Sequence, residues 1–325
     1  MIISRTPLRI GLVGGGTDLA SFYERHGGAC VSMAIDKFIY ISVNPKFDGR
    51  IRMSYSKTEN VSCISDLKHD LARECLKMFG VKGVEITSVS DIPGEGTGLG
   101  SSSAFVVGLL LALTHYVGKD VNSPKTLAEM AYMVELGCGH PCGKQDFYTA
   151  AYGGFHMFWF AMDGRVEVCP MEMSYEEQDE FSKHLLLFWT EKTRKASTIL
   201  KKQIVNISEN GLFEFAATDM RDLAVEYAEA LNKERMSETG EFLMKNWELK
   251  KKLANGISGV ELDYLIQVAL DYGATGCKIC GAGGGGFLLV FAEPEYHESI
   301  QKAVGLRAIP FTIFDKGSRI IYGQV

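Results

Sequence analysis

No apolar run in this sequence is long enough to cross a bilayer; the longest, Ala104 to Leu113, has about half the residues a spanning helix needs. The opening M-I-I-S-R-T-P-L-R-I lacks the sustained apolar stretch and small-residue cleavage site of a secretory leader, so a cytoplasmic protein is expected. Nor is there an excess of positive charge. A formal net charge of -6 argues against nucleic acid or an anionic membrane as a general partner, although a local basic pocket could still grip a phosphorylated small molecule. No repeat or disordered linker divides the chain. Its eight cysteines are scattered and read as reduced and mostly buried. Cys138/Cys142 around His140 and Cys277/Cys280 raise zinc, but 277 to 280 has the character of a strand rather than a zinc knuckle.

What is present is an ordinary globular composition, 46% hydrophobic and 23% charged over 325 residues, enough for two domains or one large one. The first half reads as β-rich. One or two short strands are expected in 2 to 13, broken or edged by Pro7, then a helix over 19 to 25. Strands follow at 29 to 36 and 38 to 44, with 50 to 55 as a hairpin partner, then a helix over 67 to 79 and a strand over 83 to 89. Ser123-Pro124 is an N-cap with proline at the first helical position. Residues 137 to 154 read as a loop, and 155 to 161 opens a hairpin turning at Asp163-Gly164, with His156 a satisfied strand residue.

Beyond Pro170 long helical patterns dominate, at 175 to 184, 194 to 209, 212 to 234, 240 to 254 and 259 to 271, the last opened by a Ser258/Glu261 capping box. Strands are expected at 185 to 189, 277 to 280, 287 to 292, 310 to 314 and 319 to 322. A soft boundary near residue 180 separates domains over 1–180 and 181–325.

Three glycine-rich stretches carry the chemistry. In D-I-P-G-E-G-T-G-L-G-S-S-S (91 to 103), glycines at 94, 96, 98 and 100 let backbone N–H groups approach a ligand, and a helix start follows at once. A flexible turn before a buried helix is the plain alternative. Converging N–H groups and the hydroxyls of Ser101 to Ser103 instead suit a polyphosphate. The stretch has neither the lysine of a Walker loop nor G-x-G-x-x-G spacing. Gly14-Gly15-Gly16-Thr17-Asp18 sets a carboxylate beside bare backbone, for a polar ligand such as a sugar or simply to cap the next helix. Gly281 to Gly286 does match G-x-G-x-x-G, but it runs from strand to strand, which excludes a dinucleotide site and leaves a platform pressing on a ligand or on the first loop. Lys144, Gln145 and Asp146 are catalytic candidates on a tethered loop, or merely solvated charges.

R-T-P-L-R-I-G-L-V-G-G-G-T-D (5 to 18), P-G-E-G-T-G-L-G-S-S-S-A (93 to 104) and K-I-C-G-A-G-G-G-G-F (278 to 287) together resemble the GHMP kinases, the small-molecule kinases that include galactokinase, homoserine kinase and mevalonate kinase. The resemblance spans nearly the whole chain. It implies an α+β, two-domain fold, β-rich at the N-terminus with a left-handed β-α-β crossover, and a ferredoxin-like α+β domain at the C-terminus. ATP would lie along Gly94, Gly96, Gly98, Leu99, Gly100, Ser101, Ser102 and Ser103. Mg²⁺ would be held by Ser102 and Glu135, the general base would be Asp146, and Arg9 would accompany it. Arg5, Gly15, Gly16, Thr17, Asp18, Arg194, Gly283 and Gly284 are the expected substrate contacts. One departure is Ser103 where the family often has alanine.

The R-x-P-L-R-I-x-x-x-G-G-G-T-D variant and T-E-K-T-R-K-A-S (190 to 197) further resemble the subgroup that phosphorylates the anomeric hydroxyl of sugars. D-glycero-D-manno-heptose 7-phosphate is the first expected substrate and fucose the second, with Arg5 and Arg194 the better candidates to grip a substrate phosphate than Lys192 or Lys195. Rival readings are a ligand-sensing homologue without activity, disfavoured by intact Ser102, Glu135 and Asp146, and an isoprenoid kinase. A homo-oligomer is left open.

Overall fold

A computed structural model describes the chain except for residues 93–95, 194–195, 210 and 324–325. The first half is built on β1 (Ile2–Val13), α1 (Ala20–His26), β2 (Gly28–Pro45), β3 (Ile51–Ser54), β4 (Thr58–Val61), α2 (Asp70–Phe79) and β5 (Val84–Ser90). It continues through α3 (Ser101–Tyr116), α4 (Pro124–Gly137), α5 (Gln145–Tyr152), β6 (Phe155–Phe160) and β7 (Val166–Pro170).

β1 and β2 are each continuous, contrary to the expected pairs of shorter strands. Pro7 interrupts neither strand because the register shifts beside it: Pro7 faces Phe38 and Leu8 faces Ile35, so Asp36 and Lys37 bulge from β2. The segment expected as a strand at 310 to 314 docks at this bulge instead. It makes one isolated bridge, Ile35 to Ile313, and Thr312 exchanges hydrogen bonds with Asp36. β3 is also not the hairpin partner of β2. β5 lies between them, antiparallel to β2 and parallel to β3, and the β3–α2–β5 crossover makes a β-α-β unit.

α3 lies against β1 and β2 and begins three residues earlier than its apolar run, with Gly100 as a left-handed N-cap at φ 75°. Ser123 caps α4 as expected, accepting from the Thr126 N–H. The stretch read as a loop over 137 to 154 contains α5, placing Gln145 and Asp146 in a helical first turn.

The second half comprises α6 (Tyr175–Lys183), β8 (Leu185–Trp189), α7 (Ala196–Glu209), α8 (Gly211–Asn232), α9 (Thr239–Leu253), α10 (Val260–Asp271), β9 (Ala274–Ile279), β10 (Phe287–Ala292), α11 (His297–Val304) and β11 (Arg319–Gly323). β10 is the centre of an antiparallel sheet ordered β8-β10-β9. Ser258 does not box α10; its hydroxyl bonds Asp263, and Gly259 is the N-cap. β11 leaves the small sheet and pairs with β1. A division near residue 180, which we retain as a proposal, thus separates the two sheets with β11 crossing back.

The cores interleave as well. α8 contributes Tyr227 and Leu231 to the core of the large sheet, and α1 contributes Phe22 to that of the small one. The glycine turn between β9 and β10 then falls on the loop preceding α3.

Candidate active site

β1, α5 and the glycine loop meet at Arg9. Its guanidinium is buried and forks onto Asp146, with Nε donating to Oδ1 and Nη2 to Oδ2, both at 2.6 Å; Nη1 donates to the Gly98 carbonyl at 2.6 Å. Burial disfavours the charged guanidinium, but the facing carboxylate and its hydrogen bonds outweigh this, so the pKa of Arg9 is raised. The Asp146 side chain is 26% exposed, and a carboxylate that accepts two bonds still has lone pairs free for a hydroxyl.

The loop is shaped around this pair. Gly96, Gly98 and Gly100 all take positive φ. A Cβ on Gly100 would lie 3.1 Å from Arg9 Cγ, and one on Gly98 would overlap the Cys280 carbonyl. The platform expected of Gly281 to Gly286 presses on the first glycine loop, since a Cβ on Gly281 would come 2.7 Å from Gly98 Cα and Phe287 N–H donates to the Thr97 carbonyl. Leu99 is buried, its carbonyl accepting from Arg9 N–H. Ser101 and Ser103 turn inward and Ser102 is exposed. As the first turn of a helix, these three residues present N–H groups without helical acceptors, which suits a phosphate. Gly94 lies outside the described residues.

Ser102 Oγ donates to Glu135 Oε1 at 3.1 Å across α3 and α4. Glu135 Oε2 is buried without a partner, and burial first, with Asp146 and Asp70 adding repulsion, pushes the carboxyl up to about 7. An orphaned carboxylate oxygen beside a hydroxyl fits Mg²⁺, which takes one or two protein oxygens and otherwise water and phosphate. Among the described residues no group of three or more His, Cys, Asp or Glu is arranged for a metal, and His140 pairs with Asp70 at 2.9 Å.

Asp18 is a brace. Its Oδ1 accepts from Gly16 N–H at 2.9 Å and its Oδ2 from Gln145 N–H at 3.1 Å, tying the triple-glycine loop to the start of α5. Burial and then Asp146 raise its pKa, against the pull of those two N–H groups. Thr17 is fully buried, its hydroxyl donating to the Gly14 and Ala29 carbonyls. Gly15 presents its carbonyl to Lys250 Nζ at 2.5 Å. Gly283 and Gly284 pack on Ile257, so the structure does not bring them to Arg9. Arg5 is also elsewhere, stacked over Phe38 at 4.6 Å and Phe314 at 5.2 Å. Arg194 lies outside the described residues.

Sequence reasoning missed two lysines. Lys250 is buried on the inner stripe of α9 with Leu243, Asn246, Trp247 and Leu253; that helical spacing was the available signal. Lys278 is buried on β9, donating to the Gly11 and Leu12 carbonyls at 2.7 Å each, and burial lowers its pKa to about 7. Burial lowers that of Lys250 too, with Asp18 opposing. With Arg9, Gln145 and Asn246 they line a cavity of about 20 Å³, roughly one water's worth. Three basic side chains thus meet at one cavity.

Comparison with known proteins settles the family. A model described as the GHMP kinases N terminal domain matches residues 66–154, and the GHMP kinases C terminal model matches 227–308, together more than half of the chain. The chain is a GHMP kinase. The protein is therefore an ATP-dependent phosphotransferase with the two-domain α+β fold of that family. The D-glycero-alpha-D-manno-heptose 7-phosphate kinase of Campylobacter jejuni is 29% identical, with 93% of each chain covered. The solved D-glycero-D-manno-heptose 1-phosphate kinase from Bacteriodes thetaiotaomicron superposes with a TM-score of 0.79 over the full length of both chains, at 25% identity. The L-fucokinase/L-fucose-1-P guanylyltransferase of Bacteroides fragilis is 26% identical over 98% of this chain and 38% of its own length. No described helix is long and apolar enough to cross a membrane.

Proposed function

We propose that this kinase transfers the γ-phosphoryl group of ATP to the anomeric hydroxyl of D-glycero-D-manno-heptose 7-phosphate, giving the 1,7-bisphosphate. The observation that carries the chemistry is the forked Arg9–Asp146 pair at the start of α3. The substrate oxygen forms the new bond to phosphorus, the bond from phosphorus to the ADP oxygen breaks, and the hydroxyl proton passes to Asp146. Arg9 aims that carboxylate, and the N–H groups of Ser101 to Ser103 meet the phosphates. Ser102 and Glu135 would hold Mg²⁺, whose charge offsets that on the phosphates.

Two observations support a phosphorylated sugar. Two of the relatives act on heptose phosphates by their names, and Arg9, Lys250 and Lys278 gather at one cavity. A sugar cannot fit in 20 Å³, so binding must widen the cleft between β1 and β9. Fucose is the second reading, favoured by the fucokinase relative. ADP release with heptose 7-phosphate, its dephosphorylated form, fucose, galactose and mevalonate tests this. A kcat/KM for free heptose equal to that of its 7-phosphate would sink the phosphate requirement, and preference for fucose would promote the second reading.

A further inference from the structure

Gln203 lies on α7 and is wholly buried, yet neither its amide oxygen nor its amide nitrogen has a hydrogen-bond partner. Leaving both ends of an amide unpaired in a dry interior is among the costlier arrangements a side chain can adopt. Its position gives the reason. From the point where a side chain on Gly16 would begin, Lys250 Nζ is 3.1 Å away and Gln203 Oε1 is 3.8 Å away. Gln145, adjacent to Asp146, brings a second amide to the same loop against Gly11 and Gly15, and its Nε2 is likewise buried and unpaired. Lys250 uses one N–H on the Gly15 carbonyl and has two more.

Unpaired donors and acceptors thus gather against Gly11, Gly15 and Gly16, where the two amides and Lys250 stand in or beside the space a side chain would take. Structural amides would have been paired with the backbone nearby; these are directed at the loop carrying Asp18 and facing Arg9. An amide offers one acceptor and two donors about 2 Å apart, which matches two adjacent hydroxyls, one donating to Oε1 and the other accepting from Nε2.

We propose that Gln203, assisted by Lys250, reads a vicinal diol of the sugar, and that this side chain from the C-terminal half makes the site selective for polyhydroxylated acceptors. The proposal rests on the sugar-kinase reading above and adds the residue that recognises the ring. Mevalonate, with no vicinal diol, would leave Gln203 unpaired and be rejected on that ground.

The test uses the full-length enzyme, Gln203→Leu, and whichever sugar of the panel is turned over, with its monodeoxy analogues. The variant should raise the KM for that sugar ~10- to 100-fold, more than it lowers kcat, and leave the KM for ATP unchanged. Its melting temperature should not fall, because the leucine replaces an amide unpaired in the free protein. One monodeoxy analogue should be penalised in wild type and not in Gln203→Leu. An unchanged sugar KM, or a fall in melting temperature without a KM effect, overturns the diol pocket while leaving the sugar kinase intact. Turnover confined to mevalonate, or none with any sugar, overturns the sugar reading and the pocket together.

Discussion

Replacing Asp146 by asparagine keeps the shape of the side chain and removes its ability to take a proton. A positioned base contributes typically ~10²- to 10⁴-fold, so kcat should fall by that factor, ~3–5 kcal/mol in the barrier. The structural cost is separable. Arg9 Nε can still donate to the remaining oxygen, but Nη2, now 2.6 Å from a carboxylate oxygen, would face an NH₂ group and lose its acceptor. One charge-assisted bond is worth ~1.5–3 kcal/mol. Breaking a fully buried pair costs ~3–5 kcal/mol, and the partial exposure of Asp146 keeps the variant below that ceiling. At ~2 °C per kcal/mol for a chain of this size, melting should drop by ~3–6 °C and the protein should remain folded at assay temperature. Calorimetry should show ATP affinity near that of wild type, since Arg9 Nη1 still holds Gly98. The assay is single-turnover ADP formation alongside ATP titration calorimetry. A folded Asp146→Asn enzyme with wild-type kcat would refute the base assignment.

Glu135→Gln should raise the Mg²⁺ concentration needed for half-maximal activity, because it removes the charge on the orphaned oxygen; an unchanged Mg²⁺ titration would move the metal elsewhere. Gly100→Ala forces a side chain into a left-handed position costing ~1–2 kcal/mol and against Arg9 Cγ, so nucleotide affinity by calorimetry should weaken; retained affinity would make the loop purely structural. Lys278 has a folded pKa near 7 against an ordinary value of 10.5, so between them the unfolded chain binds more protons and stability should rise with pH, the full benefit being present above about 10.5 and lost as pH falls to about 7. Urea titrations across that window should show a shallower rise in Lys278→Met, and identical slopes would show that Lys278 is not the group responsible.

The glycine loop and both sheets' principal strands were legible because each depends on local signals, namely alternation, glycine spacing and a helix start, whereas the roles of Arg9 and Asp146 came from the family resemblance. Pairings across long stretches of chain were not legible. Nothing in residues 50 to 55 reveals that a strand 30 residues later inserts beside β2, and α5 was concealed by the breakers before it. The role of Asp18 was left between ligand and cap; the structure shows a third use, a brace between two loops, which requires knowing that Gly143 comes close enough to exclude a Cβ. Arg5 has surroundings that no local signal revealed. A cation in a motif reads as a ligand grip, and aromatic rings brought in from β2 and the 310s stack against it. Gln203 carried no signal at all, since a glutamine in a helix among lysines is indistinguishable from a surface residue until the neighbouring loop is in place.

A side chain on Gly98 would strike the Cys280 carbonyl and one on Gly281 would strike the Gly98 backbone, one position in the N-terminal half and one in the C-terminal half. Neither position can be relieved by enlarging the other, so the pair has no compensating double substitution, and a library randomising both should return the same two residues. The adjoining surfaces can vary freely only in ways that preserve this backbone contact. Exchanging C-terminal halves between relatives should therefore yield active chimaeras when the glycine turn is carried intact with its flanking strands, and inactive ones when the crossover falls between Lys278 and Phe287.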